Sequence, residues 1–159
     1  MSEQAREIYQ SWLDLLAQAV WCRDFDRVAS HMTYPNTMET VDGSSTIETP
    51  DEMLAAVSDF RKFLERVGAQ AYLRVCTSAQ FVSADTQITG QHTTYILRGG
   101  TYLLPPFSNE MTLTRGAQHW LGTYIRADVN NHTCTILSPA QLRRARLEAG
   151  KSHLMEETK

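Results

Sequence analysis

The sequence predicts an α+β fold in which three helices come first and an antiparallel sheet follows. Two observations carry this prediction. Up to Gly68, apolar residues recur at three- and four-residue spacings, which is the period of a helix that buries one face. From Ala71 onward the chain is rich in β-branched and aromatic residues and is interrupted by turn signals. This composition indicates strands joined by short turns.

The first two helices are predicted before Pro35. Apolar residues at helical spacing span residues 4–22 and predict the first helix. A short amphipathic helix follows, in which Asp24 or Asp26 caps free backbone amides. It is expected to end before Pro35, because the residue that precedes a proline is pushed out of helical geometry. Its apolar side is expected to comprise Val28, Ala29 and Met32.

A two-stranded ribbon and a third helix are predicted next. The ribbon, residues 37–48, contains the dipeptide Asp42-Gly43, which suits the positive φ angles of a tight hairpin turn. Thr49 and Pro50 then supply an N-cap hydroxyl and a first helical residue. Gly68 fits the left-handed residue that ends the helix. The buried stripe of this helix is predicted to be Met53, Val57, Phe60, Leu64 and Val67.

Four strands are predicted in the second half of the chain, from residues 71–85, 86–100, 110–130 and 133–137. Alternation in the third segment assigns one face to His119, Leu121, Thr123, Ile125 and Val129, and the other face to Trp120, Gly122, Tyr124, Arg126 and Asp128. Both faces carry large apolar groups, so we expect a second copy of the chain to cover part of the outer face. Residues 99–109 include two prolines and are interpreted as a packed surface loop or as a lid over a pocket.

The composition indicates one globular domain and excludes several partners. The 159 residues include 15 Lys and Arg against 18 Asp and Glu, a formal charge of −3. The composition therefore lacks the excess of positive charge that favours binding to nucleic acid or to an anionic membrane. No apolar run approaches the ~20 residues of a membrane span. Scattered cysteines predict reduced thiols in a cytoplasmic protein. Residues 1–137 are predicted to form the domain, and residues 138–159 a C-terminal helix and polar tail.

The order of the elements and two short phrases resemble one known superfamily. The phrases are RDFDRV, at residues 23–28, and TMET, at residues 37–40 before Asp42-Gly43. Over about residues 5–137 the chain resembles the nuclear transport factor 2-like (NTF2-like) proteins, which include ketosteroid isomerase, scytalone dehydratase and SnoaL-like polyketide cyclases. The resemblance implies a cone-shaped, strongly curved antiparallel sheet wrapped around three N-terminal helices, the cystatin-like fold. It also implies a mostly apolar pocket on the concave face and a homodimer formed through the convex faces.

The known active sites of that superfamily have no counterpart here. When Asp24 is set against the acid of the isomerase motif, Leu16 takes the place of its tyrosine and Thr40 that of its proton-shuttling aspartate. Leucine has no proton to donate, and a threonine hydroxyl is too weak an acid or base to replace a carboxylate. The dehydratase pattern puts Val20 and Trp21 at the positions of its tyrosine and aspartate. Function therefore has to be argued from other residues.

Other candidate site residues follow from side-chain chemistry. Histidine titrates near neutral pH, so His31 and His92 are candidate general bases or acids, and Glu39 is a candidate base beside Thr40. Candidates for the wall of a ligand pocket are Trp12, Tyr34, Phe60, Tyr95, Trp120 and Tyr124. Within one predicted strand, His92 and Tyr95 fall on opposite faces, so only one of them is expected to line a pocket. No residue spacing matches a metal or cofactor motif, and none is expected.

Three functional hypotheses remain open from the sequence. The first is a protein that binds a small, largely apolar or aromatic molecule. The second is an isomerase, dehydratase or cyclase that uses a histidine or Glu39 as a base in a non-standard position. The third is a non-catalytic interaction module whose convex sheet face binds another protein.

Overall fold

The structure, a computed structural model, describes residues 2–137. The predicted C-terminal helix and polar tail, residues 138–159, lie outside these residues. The helices are α1 (Glu3–Trp21), α2 (Phe25–Ser30) and α3 (Pro50–Arg66). The strands are β1 (Met32–Thr40), β2 (Gly43–Ile47), β3 (Ala71–Val82), β4 (Gln87–Arg98), β5 (Thr101–Tyr102), β6 (Phe107–Arg115) and β7 (Trp120–Ala127).

The strands form one sheet in the order β2-β1-β7-β6-β4-β3, with β5 paired to β4. All neighbours are antiparallel except β1 and β7, which run parallel. The predicted α+β class is confirmed, and the sheet is mixed because of this one pair. A parallel pair needs a long crossover, and here the crossover consists of β2, α3 and strands β3 to β6.

Local signals in the sequence place the helix ends correctly. The Thr49 hydroxyl accepts a hydrogen bond from the Glu52 amide at 3.2 Å, Pro50 is the first residue of α3, and Gly68 has a φ of +76° after its end. The Asp24 carboxylate accepts from the Arg27 amide at 3.4 Å at the start of α2. These caps satisfy backbone groups that a helix leaves free at its termini.

Two predictions around the ribbon are wrong. The short helix ends at Ser30, so Met32 belongs to β1, a strand that begins five residues before the predicted one. The hairpin loop is Val41 and Asp42, because Gly43 already pairs with Thr40 as the first residue of β2. Pro35 lies inside β1, where the ladder with β7 is interrupted. A proline has no N–H to donate there, yet the strand continues past it.

The strand boundaries in the second half also differ from the prediction. Residues 110–130 form most of β6 and all of β7, separated by a tight turn in which the Gly116 amide donates to the His119 carbonyl at 3.0 Å. Residues 133–137 form no strand, although Cys134 within them is buried. Residues 99–109 contain β5 and the beginning of β6. Leu104 and Phe107 in this segment are buried, which agrees with the packed-loop interpretation.

A β-bulge changes which residues of β7 share a face. Thr112 pairs with Tyr124 and the next residue, Leu113, pairs with Gly122, so Thr123 is the extra residue on β7. An extra residue reverses the alternation beyond it. Gly122 and Ile125 therefore both face the helices, and the predicted alternation is wrong after Thr123. The apparent apolar character of both faces, which suggested self-association, arises from this bulge.

The helices cover one face of the sheet through two aromatic residues of α1. A Cβ on Gly90 would overlap the ring of Tyr9, and a Cβ on Gly122 would lie 3.0 Å from the ring of Trp12. Glycine at both positions lets α1 approach the sheet closely. In the part of the chain that the structure describes, no helix is long and apolar enough to cross a membrane.

Candidate functional site

A cavity of about 120 Å³ lies between the three helices and the helix-facing side of the sheet. Protein interiors are packed to the density of organic crystals, so an empty space of this size is unusual. An engineered apolar cavity of roughly 150 Å³ is known to bind benzene. The volume of the present cavity therefore corresponds to a ligand of about one ring. Its apolar wall includes Leu16, Val20, Met53, Val57, Met111 and Ile125.

Four polar side chains interrupt the apolar wall: Asn36, Arg74, Thr94 and Asn109. The side-chain amide of buried Asn109 donates to the Thr94 hydroxyl at 2.8 Å. The side-chain amide of Asn36 donates to the Gly122 carbonyl at 2.7 Å. Among residues 2–137, no carboxylate and no imidazole lines the cavity.

Arg74 is the only one of these four that carries a charge. It lies on β3 opposite Thr94 of β4, and one guanidinium nitrogen, Nη2, donates to the Leu13 carbonyl at 3.3 Å. Its Nε atom is buried and has no hydrogen-bond partner within residues 2–137. An unsatisfied buried donor costs about 1–3 kcal/mol, so this nitrogen needs an explanation.

The backbone around Arg74 is held by α1. Gln10 uses both ends of its amide: Nε2 donates to the Arg74 carbonyl at 2.9 Å, and Oε1 accepts from the Cys76 amide at 2.7 Å. β3 ends the strand order, so it has free backbone groups along one edge. Gln10 covers two of these groups, and this fixes the position of Arg74 on the cavity wall.

Of the six aromatic residues predicted to bind a ligand, Trp12, Phe60 and Tyr124 border the cavity and the other three do not. The hydroxyl of Tyr124, however, lies at the outer face of the sheet, where it donates a hydrogen bond to Glu39. Tyr34 donates its hydroxyl to the Ala29 carbonyl at 2.8 Å, and burial raises the pKa of Tyr34 to about 12. Tyr95 lies on the outer face, with its ring 6.1 Å from that of Tyr102. Trp120 borders a separate surface cleft.

Glu39 lies on the outer face of the sheet, away from the cavity. Its neighbour Met38 lines the cavity, and adjacent residues of a strand point to opposite faces. The Glu39 carboxylate accepts a hydrogen bond from the Tyr124 hydroxyl at 3.1 Å and lies 3.5 Å from Arg126. Burial, and next the hydrogen bond to Glu39, raise the pKa of Tyr124.

His31 lies beside the surface cleft rather than the cavity. Its ring stacks on that of His119 with centroids 3.9 Å apart, and its Nδ1 is 2.7 Å from the Arg27 carbonyl. Partial burial is the main factor that lowers the pKa of His31, and the neighbouring His119 lowers it further. Trp12 and Trp120 border the same cleft.

His92 is buried next to the cavity but does not line it. The Tyr9 hydroxyl lies 2.6 Å from Nδ1 of His92, and Nε2 has no partner in the described part of the chain. Burial, and to a smaller extent the charge of Arg74, lower the pKa of His92 to about 2. Burial also raises the pKa of Tyr9. Both groups are therefore neutral near pH 7, and His92 is a weak base in this environment.

Strand β4 shows which set of alternating residues faces the helices. His92 is buried beneath α1 and Thr94 lines the cavity, whereas Tyr95 lies outside. Among the described residues, no group of three or more His, Cys, Asp or Glu side chains could hold a metal ion. Arg74 was missed from the sequence, although Tyr72, Arg74 and Cys76 alternate along one strand and so share a face. A single arginine between two residues that face the core is the signal that could have identified it.

Comparisons with known proteins find similarity in structure only. No family model matches the sequence, and no curated protein matches it significantly. A domain of unknown function with a cystatin-like fold from Nostoc punctiforme has a TM-score of 0.60 at 11% identity, covering 99% of this chain and 98% of that one. An NTF2-like protein from Novosphingobium aromaticivorans gives 0.57 at 13% identity, covering 88% of each chain.

A protein named LinA is also similar, with a TM-score of 0.56 and 17% identity over 80% of this chain and 86% of that one. At such identities the similarity concerns the fold and not the activity. The helices and the mixed sheet agree with these neighbours. This chain therefore has the NTF2-like, cystatin-like fold.

Proposed function

We propose that this protein binds a small, largely apolar molecule of about one ring in the cavity between its helices and sheet. The observation that carries the proposal is the cavity itself, about 120 Å³ of empty space behind an apolar wall. Ligand sites are mostly apolar concavities with a few placed polar groups. Asn36, Thr94 and Asn109 are such groups, because each is buried and polar and lines the cavity.

Binding is favoured over acid–base catalysis by the chemistry of the wall. A general base must be within hydrogen-bond reach of the proton that it removes, and residues 2–137 place no carboxylate or imidazole on the lining. The lining tyrosines, Tyr72 and Tyr124, have raised pKa values, so they stay protonated near pH 7. Glu39 and His31 lie away from the cavity and His92 is sealed behind its wall.

The experiment that tests the proposal is proton NMR with benzyl alcohol as the probe. We expect nuclear Overhauser contacts between its ring protons and the methyl groups of Met53, Met111 and Ile125, which line the cavity. A probe that contacts only Leu15, which borders the surface cleft and is exposed, would contradict the proposal. So would a probe without any contact at millimolar concentration.

We also propose that the protein forms a homodimer through the outer face of its sheet. Leu73, Val75 and Tyr102 are 52%, 47% and 55% exposed, and Leu73 pairs with Tyr95 in the sheet register. This apolar patch lies on β3, β4 and β5, next to the free edge of the sheet. Exposed apolar patches of this kind are typical of interfaces.

Light scattering tests the dimer. The wild type is expected at twice 18.0 kDa, and Val75→Glu is expected to give a monomer because it places a charge in the patch. Val41→Glu is the matched control, because Val41 is 57% exposed in the β1–β2 hairpin, outside the patch. A monomeric wild type, or equal effects of the two substitutions, would contradict this interface.

A further inference from the structure

The positive charge of Arg74 lacks a counter-charge beside the cavity. Within residues 2–137, no carboxylate oxygen lies within 4.0 Å of its guanidinium. The groups that feel its charge are Tyr9, Tyr72 and His92, and all three are neutral near pH 7. A partly buried cation without a partner is unfavourable, so the site is suited to an anion.

The unpartnered donor has a definite place in the guanidinium group. Nη2 is already engaged with the Leu13 carbonyl, and the ring centroid of Tyr72 lies 5.7 Å from the central carbon. The buried Nε has no partner in the described residues. A guanidinium binds the two oxygens of a carboxylate through a fork of two N–H groups. Because Nε itself is too buried for a ligand atom to touch, a carboxylate in the cavity would be held by the terminal Nη–H groups of Arg74, which lines the cavity.

A second donor lies across the strand from Arg74. Thr94 is its register partner on β4 and also lines the cavity. The Thr94 hydroxyl oxygen accepts from the side-chain amide of Asn109 at 2.8 Å. A hydroxyl that accepts one hydrogen bond can still donate its own hydrogen, and the Thr94 hydroxyl donates to no group within residues 2–137 that the structure shows. Arg74 and Thr94 thus form a pair of donors at one side of an otherwise apolar cavity.

We propose that the ligand of this cavity is a carboxylate attached to a single apolar ring. The ring occupies the apolar space, and the carboxylate accepts hydrogen bonds from the guanidinium of Arg74 and the hydroxyl of Thr94. The ligand supplies the missing counter-charge. This inference rests on the proposed function, because it specifies the chemistry of a ligand in the same cavity.

The experiment is calorimetric titration of the full chain with benzoate and with benzamide, which has the same shape without the charge. At pH 7 we expect benzoate to bind at least about tenfold more tightly, since hydrogen bonds between ions exceed neutral ones. Arg74→Met is expected to lower the benzoate affinity about tenfold or more and to leave benzamide within about twofold. Arg66→Met, at an exposed position of α3, is the control and is expected to change neither.

The outcomes separate this inference from the proposed function. If benzamide binds as tightly as benzoate to the wild type, or if Arg74→Met keeps the preference for benzoate, the assignment of Arg74 is wrong while the cavity remains a binding site. If neither compound binds while benzyl alcohol does, this inference is wrong and the proposed function stands; if benzyl alcohol also fails to bind, both proposals are wrong. Should Arg74→Met not fold, Arg74→Lys keeps the charge and removes the fork. It is then expected to lose most of the preference for benzoate, and retention of that preference would overturn the inference.

Discussion

Two regions of the helix-facing side of the sheet are built alike and packed differently. In each region, an aromatic residue of α1 covers a glycine of the sheet. Tyr9 lies directly on Gly90 in the packed region, whereas Trp12 lies on Gly122 at the wall of the cavity. Each region also contains a buried nitrogen without a partner among residues 2–137, on His92 and Arg74. The same contact between an aromatic residue and a glycine therefore lies in a packed part of the interior in one region and at the wall of a cavity in the other.

Whether an unpartnered buried nitrogen indicates a ligand site depends on its charge and on the space beside it. His92 is almost fully buried, and its pKa of about 2 keeps it neutral, so its unpaired Nε2 is a cost of tight packing. Arg74 is positively charged and lines empty space, so a ligand can approach its guanidinium group. An unsatisfied polar atom indicates a binding site only where a ligand has room to reach it.

The largest expected effect comes from adding a methyl group in each region. Gly90→Ala is expected to lower the free energy of unfolding by about 3 kcal/mol, because the new Cβ overlaps the Tyr9 ring in a packed environment. Gly122→Ala is expected to cost about 1 kcal/mol, because Trp12 and Met32, at 3.0 Å, border the cavity and can shift into it. Urea unfolding measures both, and equal losses would contradict the difference in packing.

The pH dependence of stability comes next in size. The pKa of His92 is lower in the folded state than in the unfolded chain, so only the unfolded chain takes up a proton as the pH falls below about 6.5. The contribution of His92 to stability is therefore constant above that pH and falls below it, by about 1.4 kcal/mol per pH unit for one proton. His31 acts in the same direction because burial also lowers its pKa.

Urea unfolding at pH 7, 6 and 5 compares the wild type with His92→Gln. The substitution is expected to reduce the slope between pH 6 and pH 5. His132→Gln serves as the control, because His132 has a largely exposed side chain on the surface near Asp42, and its slope is expected to match the wild type. A slope unchanged by His92→Gln would mean that His92 is not held neutral by burial.

Much of the fold could be predicted from the sequence because its signals are local. The N-cap at Thr49, the proline after it and the glycine at position 68 act through their own backbone neighbours. Apolar spacing gave α1 within one residue at each end. These features do not depend on what packs against them, so one sequence is enough to identify them.

The site depended on contacts between distant residues and was predicted less well. Alternation in β7 fails because the bulge at Thr123 arises from pairing with β6, which no local pattern encodes. Glu39 was a reasonable candidate by chemistry, yet its position in the β1–β7 register puts it on the outer face. Arg74 becomes notable only when its neighbours in space are known.

Filling the cavity tests the central claim most directly. Ala56 is buried and lines the cavity, and its neighbour Ala55 is exposed on the same helix, so Ala56→Met and Ala55→Met form a matched pair. Titration with benzyl alcohol is expected to show binding to the wild type and to Ala55→Met and none to Ala56→Met, whose longer side chain occupies the space. Equal binding by all three proteins would show that the ligand binds elsewhere and would contradict this account.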